Sequence, residues 1–298
     1  MRHTAGSVSI SDTADSRLGF LFSILSGFSF GLMSFLVNLS SKTPSAELVF
    51  LRGLFCCFVL LPFVGRHLKL LLTKQATSLW IRSAAGATAM LCLFWNLQHT
   101  KVGTATALSN LAPVLVTLLS WRLFGEKITV REAAAIMLTV FGALTLYRSG
   151  ISSTIAAVGF FGALCVSIAQ LALRRAALKF SPSLVVWCMS LMTVFAAPLA
   201  PTTSWLVPKQ DLAVVFGVGL TGLLGQVFMT FAYMHLRASL ASAFGLSTLI
   251  WGVLFQSIFT QSIPNLRELI SYGLILAGVC TLQLVSETKK EDTDLSFQ

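Results

Sequence analysis

Runs of about 20 apolar residues recur from one end of this 298-residue chain to the other, and each is long enough to cross the ~30 Å hydrocarbon core of a bilayer as a helix. A chain so built has lipid as the solvent for most of its side chains. In lipid the backbone must satisfy its own N–H and C=O groups, which leaves the helix as the spanning element for runs of this length. Charged residues make up only 11% of the chain and sit in short segments between the runs, where a soluble domain would spread them over its exterior.

Candidate spans fall near 18–38, 46–65, 76–97, 103–121 and 130–147, then, after the polar hinge 148–153, near 154–173, 183–200, 212–235, 238–259 and 267–285. The expected fold is an all-α membrane protein of ten transmembrane helices. Residues 1–17 are polar and carry both charge signs, so they are expected as a disordered cytoplasmic tail; 286–298 form a second tail. The run 18–37 is followed by no small-residue cleavage pattern and is kept as the first helix rather than a signal peptide.

A net charge of +10 would suggest nucleic acid in a soluble protein, but here the basic residues flank the spans in ones, twos and threes. Crossing the membrane at every span places fifteen Lys and Arg on the side of the termini and five on the other, with Arg52 inside a span. The bias predicts both termini in the cytoplasm, in a bacterial inner membrane. The six cysteines lie within apolar runs without a CxxC pair, so no disulfide, metal or cofactor is expected of them.

The two halves match at an offset of 136 positions. His99 falls on His235, Lys101 on Arg237, Arg131 and Glu132 on Arg267 and Glu268, Gly142 on Gly278, and Thr145 on Thr281. Five spans per copy is an odd number, so the second copy enters the membrane from the opposite side, as an inverted repeat. That arrangement suits alternating access around a site near the midplane. No GxxxxGK[ST] loop is present to cradle ATP.

In the first half, residues 47–62 (ELVFLRGLFCCFVLLP), 108–113 (LSNLAP) and 123–128 (LFGEKI), and in the second 222–226 (GLLGQ) with Ala232 and Tyr233, then 238–243 (ASLASA), resemble the landmarks of the drug/metabolite transporter superfamily in its EamA branch. The resemblance spans residues 18–285, with TQSI at 260–263 standing where a glycine and a glutamate are usual. It implies two EamA-like five-helix repeats, over 18–147 and 154–285. It also implies a small-molecule solute: amino acids and related metabolites, S-adenosylmethionine among them, or else sugar nucleotides or drugs.

Solute contacts are sought among polar and aromatic residues inside spans, where an unpaired polar group is costly. Asn110, mid-span four, and Gln226, mid-span eight, lead; interhelical hydrogen bonding is the plainer role for each. Pro113 breaks a helix bond just beyond Asn110 and frees carbonyls there. Arg52 lies about 9 Å into span two, where it either holds a helix carbonyl, gates, or grips a carboxylate or phosphate. Trp251 is deep enough to stack on a solute, whereas Trp95 and Tyr233 sit near span ends and suit an interfacial belt. Asn38 is expected as a helix-end polar group, and Gly27 with Gly31 as a GxxxG contact.

An integral membrane enzyme is the competing class, and a scaffold the third. The histidines, His3, His67, His99 and His235, lie outside spans or at their ends, and no paired acids fall within a span, so catalysis is not expected. Without an obvious proton-carrying pathway the chain reads as a facilitator or exchanger, with coupling through Glu47 as the alternative.

Overall fold

The computed structural model describes residues 10–40, 42–65, 71, 73, 76–125, 128–176, 180–196, 207–235 and 246–296. They contain eleven α-helices: α1 (Ile10–Leu39), α2 (Ser45–Val64), α3 (Thr77–His99), α4 (Val102–Ser109), α5 (Ala112–Phe124), α6 (Val130–Tyr147), α7 (Ser153–Ala176), α8 (Pro182–Ala196), α9 (Leu212–His235), α10 (Ser247–Thr260) and α11 (Leu266–Ser296). Seven segments are long and apolar enough to cross a membrane, one of them the stretch Val102–Leu123 that runs through α4 and α5. The apolar parts of α8 and α10, Ser183–Phe195 and Ser247–Thr260, are shorter. Side chains such as Phe58, 79% exposed, and Met137 and Phe141 on α6 face outward, as lipid requires.

Two expectations are corrected. The tail 1–17 is not wholly irregular, because α1 begins at Ile10; a helix nucleated in an apolar run propagates into polar sequence at little cost. Span four is two helices, because Pro113 has no N–H for the Ser109 carbonyl and its ring crowds that carbonyl. Residues 238–245 of the expected ninth span lie outside the described residues.

Nearly all the extensive helix contacts join the two halves of the chain. α1 packs on α9 and α10, α3 on α7 and α8, α2 on α8 and α9, α6 on α11, and α4 on α10 and α7. The GxxxG pair does what its spacing predicts, bringing α1 onto α10. A Cβ on Gly31 would stand 3.0 Å from the Gly252 nitrogen and 3.2 Å from the Thr248 carbonyl.

Helix ends carry their own signals. Thr129 caps α6 by accepting from the Glu132 N–H at 3.2 Å, while the Thr129 N–H donates to Glu132 Oε2 at 2.7 Å. Asn265 and Glu268 repeat that box at the start of α11, both bonds 2.8 Å. α5 and α10 end on left-handed residues, Gly125 (φ 69°) and Gln261 (φ 53°).

One end of the bundle is laced by polar ties. Asn38 donates to the Leu97 and Thr100 carbonyls and accepts from Gln256 Nε2 at 3.1 Å, while Gln256 Oε1 accepts the Val102 N–H at 2.9 Å. Asp211 Oδ2 accepts from Ser40 Oγ, Thr43 Oγ1 and the Thr43 N–H at 3.1, 2.7 and 3.0 Å. Lys101 bridges to Glu268 at 2.8 Å. Asn38 is thus the helix-end group expected of it, closing α3 and, through Gln256, opening α4.

Candidate functional site

The interruption of span four is the first unusual local structure in the interior. α4 stops at Ser109, Asn110 takes φ −71°, ψ 0°, and α5 restarts after Leu111 with Pro113 in its first turn. Asn110 is half-buried, and its Nδ2 is buried with no hydrogen-bond partner. A polar group placed at a break in an apolar span is a group available to a ligand.

Beside the break, α3, α4 and α7 leave a small crevice lined by Cys92, Asn96, Ala105, Ser109, Gly159 and Gly162, among others. Asn96 is 1% exposed and its Oδ1 has no donor. Gly159 is what admits α7 this closely, since a Cβ there would lie 2.9 Å from Asn96 Nδ2. Sequence reasoning passed over Asn96 in favour of its neighbour Trp95. The signal available was an amide less than one turn from the end of a largely apolar stretch.

Arg52 lies in the eighth position of α2, about 10 Å from that helix's start. Its side chain is 3% exposed. Nη1 points at the Met90 thioether on α3, 2.8 Å away, and Nε has no partner. Gly222 on α9 makes room for the guanidinium, because a Cβ on it would collide with Arg52 Nε and stand 3.1 Å from Met33 Sδ of α1. Three helices therefore close over one cation. No carbonyl accepts from it, so the helix-carbonyl role considered from sequence has no acceptor among the described residues. Glu47, earlier on the same helix, is 1% exposed with Oε1 unpartnered, and it forms no ion pair with Arg52.

Gln226 is 8% exposed on α9, one turn beyond Gly222 and so on the same face as the approach to Arg52. The principal neighbours of α9 are α1 and α2, whereas those of α4 include α10, α7 and α3. Asn110 and Gln226 accordingly sit among different sets of helices. Trp251 packs edge-on to Phe28 at 5.2 Å and is stacked with Phe255 at 6.3 Å, within a ring cluster between α1 and α10. Trp95 stacks on the exposed His99 with ring centroids 4.0 Å apart, at the polar-laced end of the bundle. The Tyr233 side chain and residues 238–243 lie outside the described residues.

The interior thus offers separate amide and guanidinium donors in an apolar bundle, with no metal-holding cluster among the described residues. The family model for the EamA-like transporter family matches residues 17–148. The pseudopaline exporter CntI of Pseudomonas aeruginosa is 27% identical over 282 residues, covering 92% of this chain and 98% of that one. The S-adenosylmethionine uptake transporter of Rickettsia felis is 22% identical over 275 residues, 91% of this chain and 92% of its own. A solved crystal structure 19% identical in sequence shares the fold with a TM-score of 0.62, covering 92% of this chain and 98% of that one. The chain is a multi-pass integral membrane protein whose first half matches the EamA-like transporter family and which, over about nine-tenths of its length, is similar to proteins named as transporters.

Proposed function

We propose that the chain is a secondary transporter in which ten helices, as two inverted five-helix repeats over 18–147 and 154–285, give alternating access to a small organic metabolite. The solute class is an amino acid or a related compound, S-adenosylmethionine included, moved down its own gradient or by exchange. The observation that carries this reading is the broken helix at Asn110, with an unpartnered amide at mid-depth. The repeat reading is supported by reciprocity: exchanging α1 with α7, α3 with α9, and α6 with α11 maps the pair α1–α9 onto α7–α3 and the pair α6–α11 onto itself. It is supported too by the matching caps, Thr129 with Asn265 and Gly125 with Gln261, each 136 positions apart.

In liposomes holding the purified protein, counterflow of the solute is expected to fall at least about tenfold in Asn110→Ala and in Gln226→Leu, while both fold and insert as the parent does. A purely structural role gives the reverse pattern: a lower melting temperature in detergent with transport per folded molecule unchanged. Unchanged transport in both stable variants removes the pair from the site.

The charge asymmetry supports both termini in the cytoplasm of a bacterial inner membrane. Cysteines placed at Ser7 and Thr293 are expected to resist an impermeant thiol reagent in intact cells and to react once the membrane is opened. Labelling of either from outside reverses the orientation.

A further inference from the structure

We propose that Arg52 is the anchor for one carboxylate of the transported solute, an assignment that rests on the chain acting as a transporter. A guanidinium remains protonated at any physiological pH and presents five N–H donors in a planar fork. Here that fork is enclosed by α1, α3 and α9, and its one acceptor is a thioether, which is weak. Nε is buried and unpartnered. Among the described residues the ion pair observed is Lys101–Glu268, at the laced end of the bundle, and no described carboxylate pairs with Arg52. A charge held this way in an apolar bundle is strongly unfavourable unless a partner reaches it during the working cycle.

The surroundings say what kind of partner. Met90 and Met33 are unbranched and flexible, and either side chain can swing aside without moving its helix. Gly222 leaves bare backbone on the facing side and Arg52 Nε packs directly on it, so a carboxylate would approach the fork from the side that Met90 and Met33 cover. Gln226 lies one turn along the same face of α9. One cation selects a monoanion. A phosphate dianion, and still more the diphosphate of a sugar nucleotide, would carry buried charge that the described residues near Arg52 do not balance.

The full-length protein is tested with each of the twenty amino acids, the matching amino-acid amides, and inorganic phosphate, by melting temperature in detergent and by counterflow in liposomes. The amides keep the side chain and amino group and lose only the anion. At least one acid is expected to stabilise the protein and to be carried, with its amide at least about tenfold weaker in both assays, because a site built around a hydrogen-bonded group rejects the analogue lacking it. Arg52→Met is expected to melt at or above the parent temperature, since an apolar isostere relieves the buried charge, and to lose the preference for acid over amide. Arg52→Lys keeps the charge without the fork and retains part of that preference. Should Arg52→Met fail to fold, the acid and amide comparison on the parent protein decides the matter.

Equal behaviour of acid and amide, an intact preference in folded Arg52→Met, stronger stabilisation by phosphate, or no stabilisation by any acid overturns the assignment. Carriage of solutes that lack a carboxylate overturns it while leaving transport standing. Acid-specific stabilisation that Arg52→Met abolishes, without any uptake, keeps the assignment and removes transport.

Discussion

Leucine in place of Gly278 is expected to leave almost no monodisperse protein in detergent. Gly278 sits where α11 crosses α6, and a Cβ on it would fall 2.8 Å from the Ala135 carbonyl and 2.9 Å from the Thr139 nitrogen. Both are backbone atoms, so neither can rotate out of the way. The Thr139 hydroxyl beside them is already held by the Ala135 carbonyl at 2.9 Å. Across the seam Gly142 faces α11 as closely, with the Ile275 nitrogen 3.0 Å from where its Cβ would be. Four added carbons must therefore push the two helices apart along their whole contact, and the loss should exceed the ~1–3 kcal/mol typical of modest overpacking. Gly273→Leu is the control, on the same helix but with nothing within 4 Å of its Cβ position. Gel filtration that shows Gly278→Leu as well behaved as Gly273→Leu would mean that α6 and α11 do not meet as described.

The second large effect is expected at Gln256. Its two ends hold two different partners, the Val102 N–H that opens α4 and the Asn38 carbonyl oxygen on α1. Gln256→Leu strands both, at about 1–3 kcal/mol each, or roughly 2–6 kcal/mol together. The melting temperature should drop sharply. Adding Asn38→Leu to Gln256→Leu should then cost less than the two single changes summed, because they share one bond. Additive losses would show that the two amides stabilise the bundle independently.

How much of this was visible in the sequence depends on whether a property belongs to a run of residues or to a meeting of distant ones. The span boundaries for α6 and α9 coincide with the helices because apolarity and length are local. Pro113 announced the interruption of span four, and Gly27 with Gly31 announced a close helix contact, for the same reason. The box Thr129–Glu132 was also legible as T-x-x-E, though only its glutamate was singled out. Gln261 shows a limit of residue-type reasoning: the position lacks the usual glycine, yet its backbone still turns left-handed to end α10.

The site was less legible, because a polar group's role depends on what other helices bring to it. Asp211 drew no reading from the sequence, because its partners Ser40 and Thr43 lie 171 and 168 positions away. Asn96 is unsatisfied because α7 closes over it with a glycine instead of a donor. Arg52 looked able to hold a carbonyl from its depth in α2; only the positions of Met90 and Gly222 reveal that it meets a thioether and a glycine backbone instead. Trp251, judged by depth alone, looked free to stack on a solute, and its neighbours prove to be Phe28 and Phe255.

The crossing of contacts between halves also dictates the order in which the protein can become whole during synthesis. α1 leaves the ribosome long before α9, which lies some 170 residues later, so at about 5–20 residues per second it waits on the order of ten to thirty seconds for its main partner. Until α9 is made, Arg52 on α2 lacks the helix whose Gly222 closes over it. The membrane must hold a half-built molecule with a bare cation inside it, so nascent chains stalled before α9 are the form most in need of a chaperone or an insertase at their side.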